Sequence, residues 1–241
     1  MQDIRDTELE NLFFQLTDKT RKLNETLLSV NWEDVDFNIS CFRHKGEIDF
    51  SVLPEVQANL LNLVLEIIPE WQRLIDCKQH ATHDYDLSVH TLLVIREMQK
   101  TQEYKALNKY DKLVLLYTAL LHDIKKNEKE VDPQHPIKGA EAASSILYRL
   151  GFAEDFINDV YVLIKNHQII GLLASNKMHF NAEALAQLLK RARLVNLMAI
   201  LSIADIKSVK KNEAFFSEKI GQNIEHIRVT TNTYINENHK I

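Results

Sequence analysis

The scarcity of glycine and proline is the feature that most limits how this chain can fold. Only 5 glycines and 4 prolines occur among 241 residues, against average shares of about 7% and 5%. Tight turns and β-hairpins depend on these residues, so the chain has too few turn-forming residues to connect many short strands. Together with a hydrophobic content of 45%, this composition predicts an all-α globular protein.

Hydrophobic periodicity places the helices. Apolar residues from Val56 to Ile68 follow one face of a helix, and Pro69 is a stop signal. The same spacing predicts helices over 88–99, 111–122, 137–150, 155–167 and 185–209, with Asp111 as an N-terminal cap and Gly151 as a C-terminal cap. A further helix is predicted over 7–28, whereas residues 37–52 are compatible with an extended segment.

Charge and cysteine usage exclude several classes of protein. A net charge of −5 and a pI near 6.1 argue against an extended nucleic-acid-binding surface, which needs a basic patch. Cys41 and Cys77 form no C-x-x-C pair or disulfide framework, and we expect both to be reduced. The first residues lack a signal-peptide pattern, and the apolar stretch 56–69 is too short and too often interrupted to span a bilayer. These features predict a cytoplasmic protein with no membrane partner.

An adjacent histidine and aspartate, His122 and Asp123, stand at the end of an apolar predicted helix. Burying an unpaired carboxylate is costly, so a partner must compensate its charge. A metal ion and an internal hydrogen-bonded His–Asp dyad both explain this pair when it is taken alone.

Two further helices favour the metal. His90 lies on an apolar helix, four residues after Asp86, which is placed to orient its imidazole from the same face. Asp205 lies inside the apolar run 197–206. Because these costly groups occur on separate apolar helices, we expect His90, His122, Asp123 and Asp205 to share one divalent ion. Imidazole and carboxylate ligands suit Mn, Fe, Co, Ni, Zn or Mg, and the ligand types do not choose among them.

The order His90, His122-Asp123, Asp205 resembles the H…HD…D signature of the HD-domain phosphohydrolase superfamily. The chain looks most similar to the HD domain of bacterial bifunctional uridylyltransferase/uridylyl-removing enzymes and, more weakly, to that of tRNA nucleotidyltransferases. The resemblance is carried by Leu53-Pro54-Glu55, Ile68-Pro69-Glu70, His83-x-x-Asp86-x-x-x-His90-Thr91-Leu92, Ala119 to Ile124, His135-x-x-x-Gly139-Ala140-Glu141, Asn166-His167 and Ala204-Asp205-Ile206. It implies an HD-domain helical bundle over 68–209, with a mainly helical extension over 1–67 and a C-terminal tail over 210–241.

Two positions depart from the family pattern. Lys125 stands where relatives carry a glycine after the His-Asp pair, and Val89 stands where they often carry an acidic residue. The first 67 residues show no nucleotidyltransferase pattern, and no second regulatory module follows residue 209. We therefore expect either a free-standing HD protein or one excised domain of a longer enzyme, with an altered loop at the substrate mouth.

The resemblance also implies roles for individual residues. Asp123 would act in catalysis by holding the ion and orienting a metal-activated water, and Lys126 would contact a substrate phosphate. His135 and His167 would bind a second metal or face the substrate phosphate. His83 and Asp86 would lie behind the ligands or at the entrance, whereas His80 is expected to be an ordinary loop residue.

The implied function is metal-dependent hydrolysis of a phosphomonoester or phosphodiester. Its substrate would be a nucleotide or a nucleotidylated molecule, including a nucleotidylated protein, and a cyclic or signalling nucleotide is a rival within this class. The alternatives from other classes are a non-catalytic HD module that binds a nucleotide or partner protein, and a helical scaffold with incidental histidines. The leaving group, the metal, the number of ions and the oligomeric state stay open.

Overall fold

Helices make up most of the described structure. The computed structural model describes residues 18–33, 53–75, 77–79, 85–127, 132–209 and 217–238. The α-helices are α1 (Asp18–Ser29), α2 (Glu55–Ile67), α3 (Leu87–Lys100), α4 (Gln102–Lys105), α5 (Lys109–Leu121), α6 (His135–Arg149), α7 (Glu154–Asn166), α8 (Ile169–Ala174), α9 (Ala182–Leu189), α10 (Ala192–Lys207) and α11 (Glu218–Asn238), and a 3-10 helix covers Pro69–Leu74. No strand occurs within these ranges, which confirms the predicted all-α class.

Several predicted boundaries needed correction. Asn108, and not Asp111, caps α5, because its side chain accepts a hydrogen bond from the Asp111 amide. The helix predicted over 185–209 is two helices, α9 and α10, which are separated at Lys190, where φ is +59°. Of the helix predicted over 7–28, only the part from residue 18 is described, and the extended segment predicted over 37–52 lies outside the described residues, as does Cys41. Cys77 is buried.

The N-terminal helices pack against the central ones through specific polar contacts as well as apolar burial. The Tyr117 hydroxyl donates to Asn24 Oδ1 over 2.8 Å, and Thr20 Oγ1 donates to the Leu150 carbonyl over 3.2 Å. The indole of Trp71 donates to the Leu120 carbonyl over 3.1 Å, just before the His-Asp pair. Each of these three buried donors therefore has a defined partner that orients the helix carrying it.

The segment predicted as a C-terminal tail contains the long helix α11. It packs against α8, α9 and α10 and buries Ile224, Ile227, Thr231 and Ile235. The predicted boundaries of 1–67, 68–209 and 210–241 remain predictions. Within the described residues, no helix combines the length and apolar content needed to cross a membrane.

Five helices point one end at a common interior region. The C-terminal ends of α5, α7 and α10 reach it with His122, His167 and Asp205, and the N-terminal ends of α3 and α6 reach it with His90 and His135. The three C-termini carry partial negative charge and the two N-termini carry partial positive charge, so the helix dipoles together leave a modest negative potential where the helices converge.

Gly139 allows α6 to approach the end of α5. A Cβ atom at this position would lie 3.1 Å from the His122 carbonyl oxygen and 3.5 Å from the Ile164 side chain. The backbone carbonyl has little freedom to move away, because the adjacent imidazole is buried. The close packing beside His122 therefore depends on a residue without a side chain.

We expect Gly139→Ala to lower the free energy of unfolding by about 1–3 kcal/mol, the usual cost of an overpacked core. Gly171→Ala is the matched control, since its Cβ would meet only the flexible end of Ile206 at 3.4 Å. Alanine there should be neutral or should stabilise α8 by up to about 1 kcal/mol. Urea denaturation of both variants measures the difference, and equal stabilities would contradict this explanation of Gly139.

Candidate metal centre

Four buried histidines surround Asp123, and each has the same orientation. The Nδ1 atoms of His122, His135 and His167 lie 2.7–2.8 Å from the carbonyl oxygen three residues earlier in the chain, and His90 Nδ1 lies 3.1 Å from the Ser208 carbonyl. A carbonyl oxygen only accepts hydrogen bonds, so each Nδ1 carries the proton. When the ring is neutral, Nε2 then carries the lone pair that a metal-binding imidazole requires.

The lone pairs of these histidines face carboxylate oxygens. His90 Nε2 lies 3.1 Å from Asp205 Oδ1 and 3.8 Å from Asp123 Oδ2. His122 Nε2 lies 3.4 Å from Asp123 Oδ2 and 4.0 Å from Asp205 Oδ1. The structure therefore brings His90, His122, Asp123 and Asp205 together, although 115 positions separate the first from the last in sequence.

The two oxygens of Asp123 face different pairs of histidines. Oδ2 faces His90 and His122, whereas Oδ1 lies 3.3 Å from His135 Nε2 and 3.9 Å from His167 Nε2. Ligand atoms consequently fall into two groups that can each hold an ion: His90, His122 and Asp205 form one, and Asp123, His135 and His167 form the other. Asp123 belongs to the second group, and its Oδ2 atom also faces the two histidines of the first group.

The donor set fits a divalent cation. Neutral imidazole Nε2 and ionised carboxylate are both acceptors, so their close approach is unfavourable unless a proton or a metal lies between them. Among the described residues, His122 Nε2 and Asp123 Oδ1 have no hydrogen-bond partner although both are buried. Ligands bound about 2.1 Å from one ion lie roughly 3.0–3.4 Å from each other, close to the shorter contacts seen here.

The close approach of these charged groups also shifts their pKa values in the protein without metal. Burial opposes the ionisation of Asp123, but the neighbouring His122 and the Lys126 ammonium outweigh it and hold its pKa well below the usual range. Burial likewise opposes ionisation of Asp205, and His90 and His122 lower its pKa. Burial would lower the pKa of His122, but the Asp123 carboxylate raises it. Both carboxylates are therefore ionised and attract a cation.

The metal-free protein is expected to gain stability as the pH rises from about 4 to 6.5. Burial, reinforced by the charge of His122, lowers the pKa of His167 from 6.5 to about 4. Between these values the unfolded chain binds a proton on this residue that the folded protein does not, so stability rises with pH.

Urea titrations across this window, with chelator present, measure the effect. His167→Gln should reduce the dependence of stability on pH by the equivalent of about one proton. His179→Gln, at an exposed histidine outside the cluster, should leave it unchanged. An unaltered pH dependence in His167→Gln would contradict the assignment.

The structure places the remaining predicted residues in different surroundings. The Lys126 ammonium lies 2.9 Å from Asp123 Oδ2 and 2.7 Å from Gln79 Oε1. Asp86 accepts a hydrogen bond from Lys78 Nζ over 2.8 Å. The prediction that Asp86 orients the His90 imidazole was wrong, because the His90 Nδ1 atom lies 3.1 Å from the Ser208 carbonyl. His80 and His83 lie outside the described residues.

Sequence reasoning missed the groups that orient the ligands. The i−3 carbonyls that accept from His122, His135 and His167 have a local signal, because each histidine stands just after or at the start of a helix. Ser208 and Gln79 have no such signal, since only the tertiary fold brings them near His90 and Lys126.

Lysine at position 125 is compatible with the turn after the His-Asp pair. Among the described non-glycine residues, positive φ occurs at Asn176 and Lys190, so the backbone at Lys125 does not need the conformational freedom of glycine. Its side chain is exposed, whereas Ile124 is buried beside it.

Comparisons with known proteins find distant similarity to enzymes. A multifunctional CCA protein of Actinobacillus pleuropneumoniae is 32% identical over 128 residues, which cover 50% of this chain and 29% of that protein. Bifunctional uridylyltransferase/uridylyl-removing enzymes are 22% identical over 169 residues in Ruegeria pomeroyi (64% of this chain, 18% of the relative) and 22% identical over 209 residues in Vibrio atlanticus (80% and 23%). No protein-family model matches the chain.

These matches confirm the predicted similarity to bifunctional uridylyltransferase/uridylyl-removing enzymes as a distant relationship. They do not bear out the prediction that this similarity is the stronger one, because the multifunctional CCA protein is the more identical, at 32% against 22%. The chain spans less than a third of the length of each of these relatives. The similarity and the buried His/Asp cluster are consistent with families that contain an HD domain.

Proposed function

We propose that this chain is a metal-dependent phosphohydrolase that cleaves a phosphomonoester or phosphodiester of a nucleotide or nucleotidylated substrate. The observation that carries the proposal is the convergence of four imidazole Nε2 atoms on two ionised carboxylates within one buried cluster. Such a cluster is costly to bury without a cation, and imidazole and carboxylate are the ligands that first-row divalent metals accept.

His90, His122, Asp123 and Asp205 would hold the first ion. His135 and His167 would hold a second ion together with Asp123, whose two oxygens face the two sets of histidines. A divalent ion bound here supplies a lowered pKa for water and neutralises phosphate charge. The four Nδ1–carbonyl contacts orient the imidazole rings and leave Nε2 as the atom that would bind the metal.

Asp205 and Lys126 mark the side from which a substrate would enter. The Asp205 side chain is 23% exposed and that of Lys126 is 18% exposed, whereas those of His90, His122 and Asp123 are at most 2% exposed. The Lys126 ammonium has three donors, of which Asp123 and Gln79 take two. Within the described structure the third donor has no partner, so Lys126 could donate to a phosphate oxygen and would stabilise negative charge that develops during hydrolysis.

The relatives support the substrate class. The two bifunctional enzymes are named for transferring and removing a uridylyl group, and removal of such a group by water breaks a phosphoester linkage. A nucleotidylated protein is accordingly one substrate to test, beside free nucleotides and their cyclic forms. The metal, the number of ions and the leaving group are left to experiment.

Hydrolysis assays test the proposal directly. Protein purified without chelator should contain a divalent metal by elemental analysis. It should also turn over at least one member of a panel of nucleotide monoesters, diesters and nucleotidylated proteins when Mn is present. Chelator should stop this turnover. Stoichiometric metal without hydrolysis of any substrate would favour a non-catalytic module that binds a nucleotide or partner protein. Absence of metal binding would contradict the proposed phosphohydrolase.

A further inference from the structure

A buried ion network connects three helices at a distance from the metal centre. Arg193, near the start of α10, donates through Nε to Asp111 Oδ1 of α5 and through Nη1 to Asp159 Oδ2 of α7, each over 2.5 Å. Both carboxylates are buried, and the guanidinium also lies over the Tyr110 ring at 5.1 Å. One side chain therefore binds two neighbouring helices at once through charge-assisted hydrogen bonds.

The three helices that meet in this network also carry three members of the candidate metal centre. Helix α5 carries Asp111, and His122 follows at its end. Helix α7 carries Asp159, and His167 follows at its end. Helix α10 carries both Arg193 and Asp205. At 1.5 Å per residue, the network lies roughly 12–18 Å from the cluster along these helices. In each helix the network residue comes first, so all three run from the network towards the cluster.

Apolar packing and the ion network constrain these helices differently. Side chains packed as ridges in grooves set the spacing and crossing angle of helices but tolerate small shifts along them. The guanidinium has a rigid planar fork, so its bonds to Asp111 and Asp159 fix the axial positions of α5, α7 and α10 relative to one another. Metal ligands must be held within a few tenths of an ångström for tight binding.

We infer that Arg193 is a positioning residue for the metal centre: it sets the register of α5, α7 and α10, and so brings His122, His167 and Asp205 to ligand distance. The inference rests on the proposed function, since it assumes that the cluster binds a divalent ion. It assigns no contact between Arg193 and the ion or the substrate.

Cobalt binding to the purified full chain tests this role, because the visible absorption of Co²⁺ reports both affinity and ligand geometry. Arg193→Lys keeps the charge but loses the two-pronged fork, and should raise the Kd for Co²⁺ about tenfold and change the spectrum, as expected when an orienting partner is lost. Arg191→Lys is the matched control. Arg191 also binds Asp159, over 2.6 Å, but from an exposed position, and within the described structure it forms no ion pair with α5. Its variant should keep the wild-type Kd.

Two further variants separate positioning from general stability. Ile235→Ala removes a buried side chain from α11, which carries none of the ligands, and should lower the melting temperature without changing the Kd of the folded protein. The triple variant Arg193→Met/Asp111→Asn/Asp159→Asn removes the network without leaving an unpaired buried charge. It should fold and should bind Co²⁺ at least tenfold more weakly than wild type.

The outcomes distinguish the two proposals. A wild-type protein that binds no cobalt would contradict the proposed function. If wild type binds cobalt, an unchanged Kd and spectrum in Arg193→Lys and in the triple variant would overturn the positioning role. An equal loss of affinity in Ile235→Ala would also overturn it, because the effect would then follow from lower stability alone.

Discussion

Replacing Asp123 with alanine is expected to lower phosphate-ester hydrolysis by at least about a thousandfold, to the background rate, while the helical fold is retained. Asp123 is the residue whose two oxygens face both histidine pairs, so its loss removes a ligand from each of the two proposed ion sites. A missing ligand takes away both the bound ion and the water that the ion activates. Hydrolysis with Mn, beside circular dichroism at 222 nm, measures the two properties separately.

Lys126→Ala is expected to lower hydrolysis less than Asp123→Ala does. The Lys126 ammonium touches Asp123 but is not expected to bind a metal, so its loss should lower turnover by a factor of about 10 to 1000, the range for one electrostatic donor. Metal content should stay near the wild-type value. Activity that survives in Asp123→Ala would refute the metal-water mechanism, and a Lys126→Ala enzyme as inactive as Asp123→Ala would show that the two residues act as one unit.

Divalent metals are expected to raise the melting temperature of the protein, and His122→Ala should abolish most of this shift. A ligand that binds only the folded state stabilises it by RT ln(1 + [L]/Kd), which is about 4 kcal/mol at a thousandfold excess over Kd. Loss of His122 removes a ligand whose Nε2 has no other partner in the described structure. Thermal unfolding with Mn, Co, Ni or Zn gives the measurement.

His179→Ala is the matched control for this experiment, because His179 is exposed and lies outside the cluster. It should show the full wild-type shift. The shift should also weaken below about pH 6, since ligating histidines must be neutral. A wild-type metal response in His122→Ala would place the binding site elsewhere in the molecule.

Local patterns were sufficient to predict most helices near the site. The apolar spacing before His122 predicted a helix that ends at this residue, and the structure ends α5 one residue earlier, at Leu121. The same reasoning failed at Lys190, because an uninterrupted apolar pattern gives no sign of a residue with left-handed backbone. It also missed α11, whose mean hydropathy is low and which is stabilised by packing against α8, α9 and α10.

Orientation of the ligands was harder to predict than their identity. Asp86 shares a helical face with His90 and was predicted to orient its imidazole, but the His90 Nδ1 contact in the structure is the Ser208 carbonyl, 118 residues away in sequence. Backbone carbonyls are chemically identical along the chain, so no residue type marks the one that will accept this hydrogen bond. The same holds for Gln79 beside Lys126.

By itself, the sequence determined the all-α class, the chemical types of the candidate ligands and their place on apolar helices. These properties follow from composition and from periodicity within single helices, which depend on neighbours in the chain. Only the tertiary structure decided which oxygen of Asp123 faces which histidines, which carbonyls hold the Nδ1 protons, and that Arg193 binds two of the helices that lead to the cluster. Such contacts depend on how helices pack at long sequence separation, and the free energy of that packing belongs to no single segment of the chain.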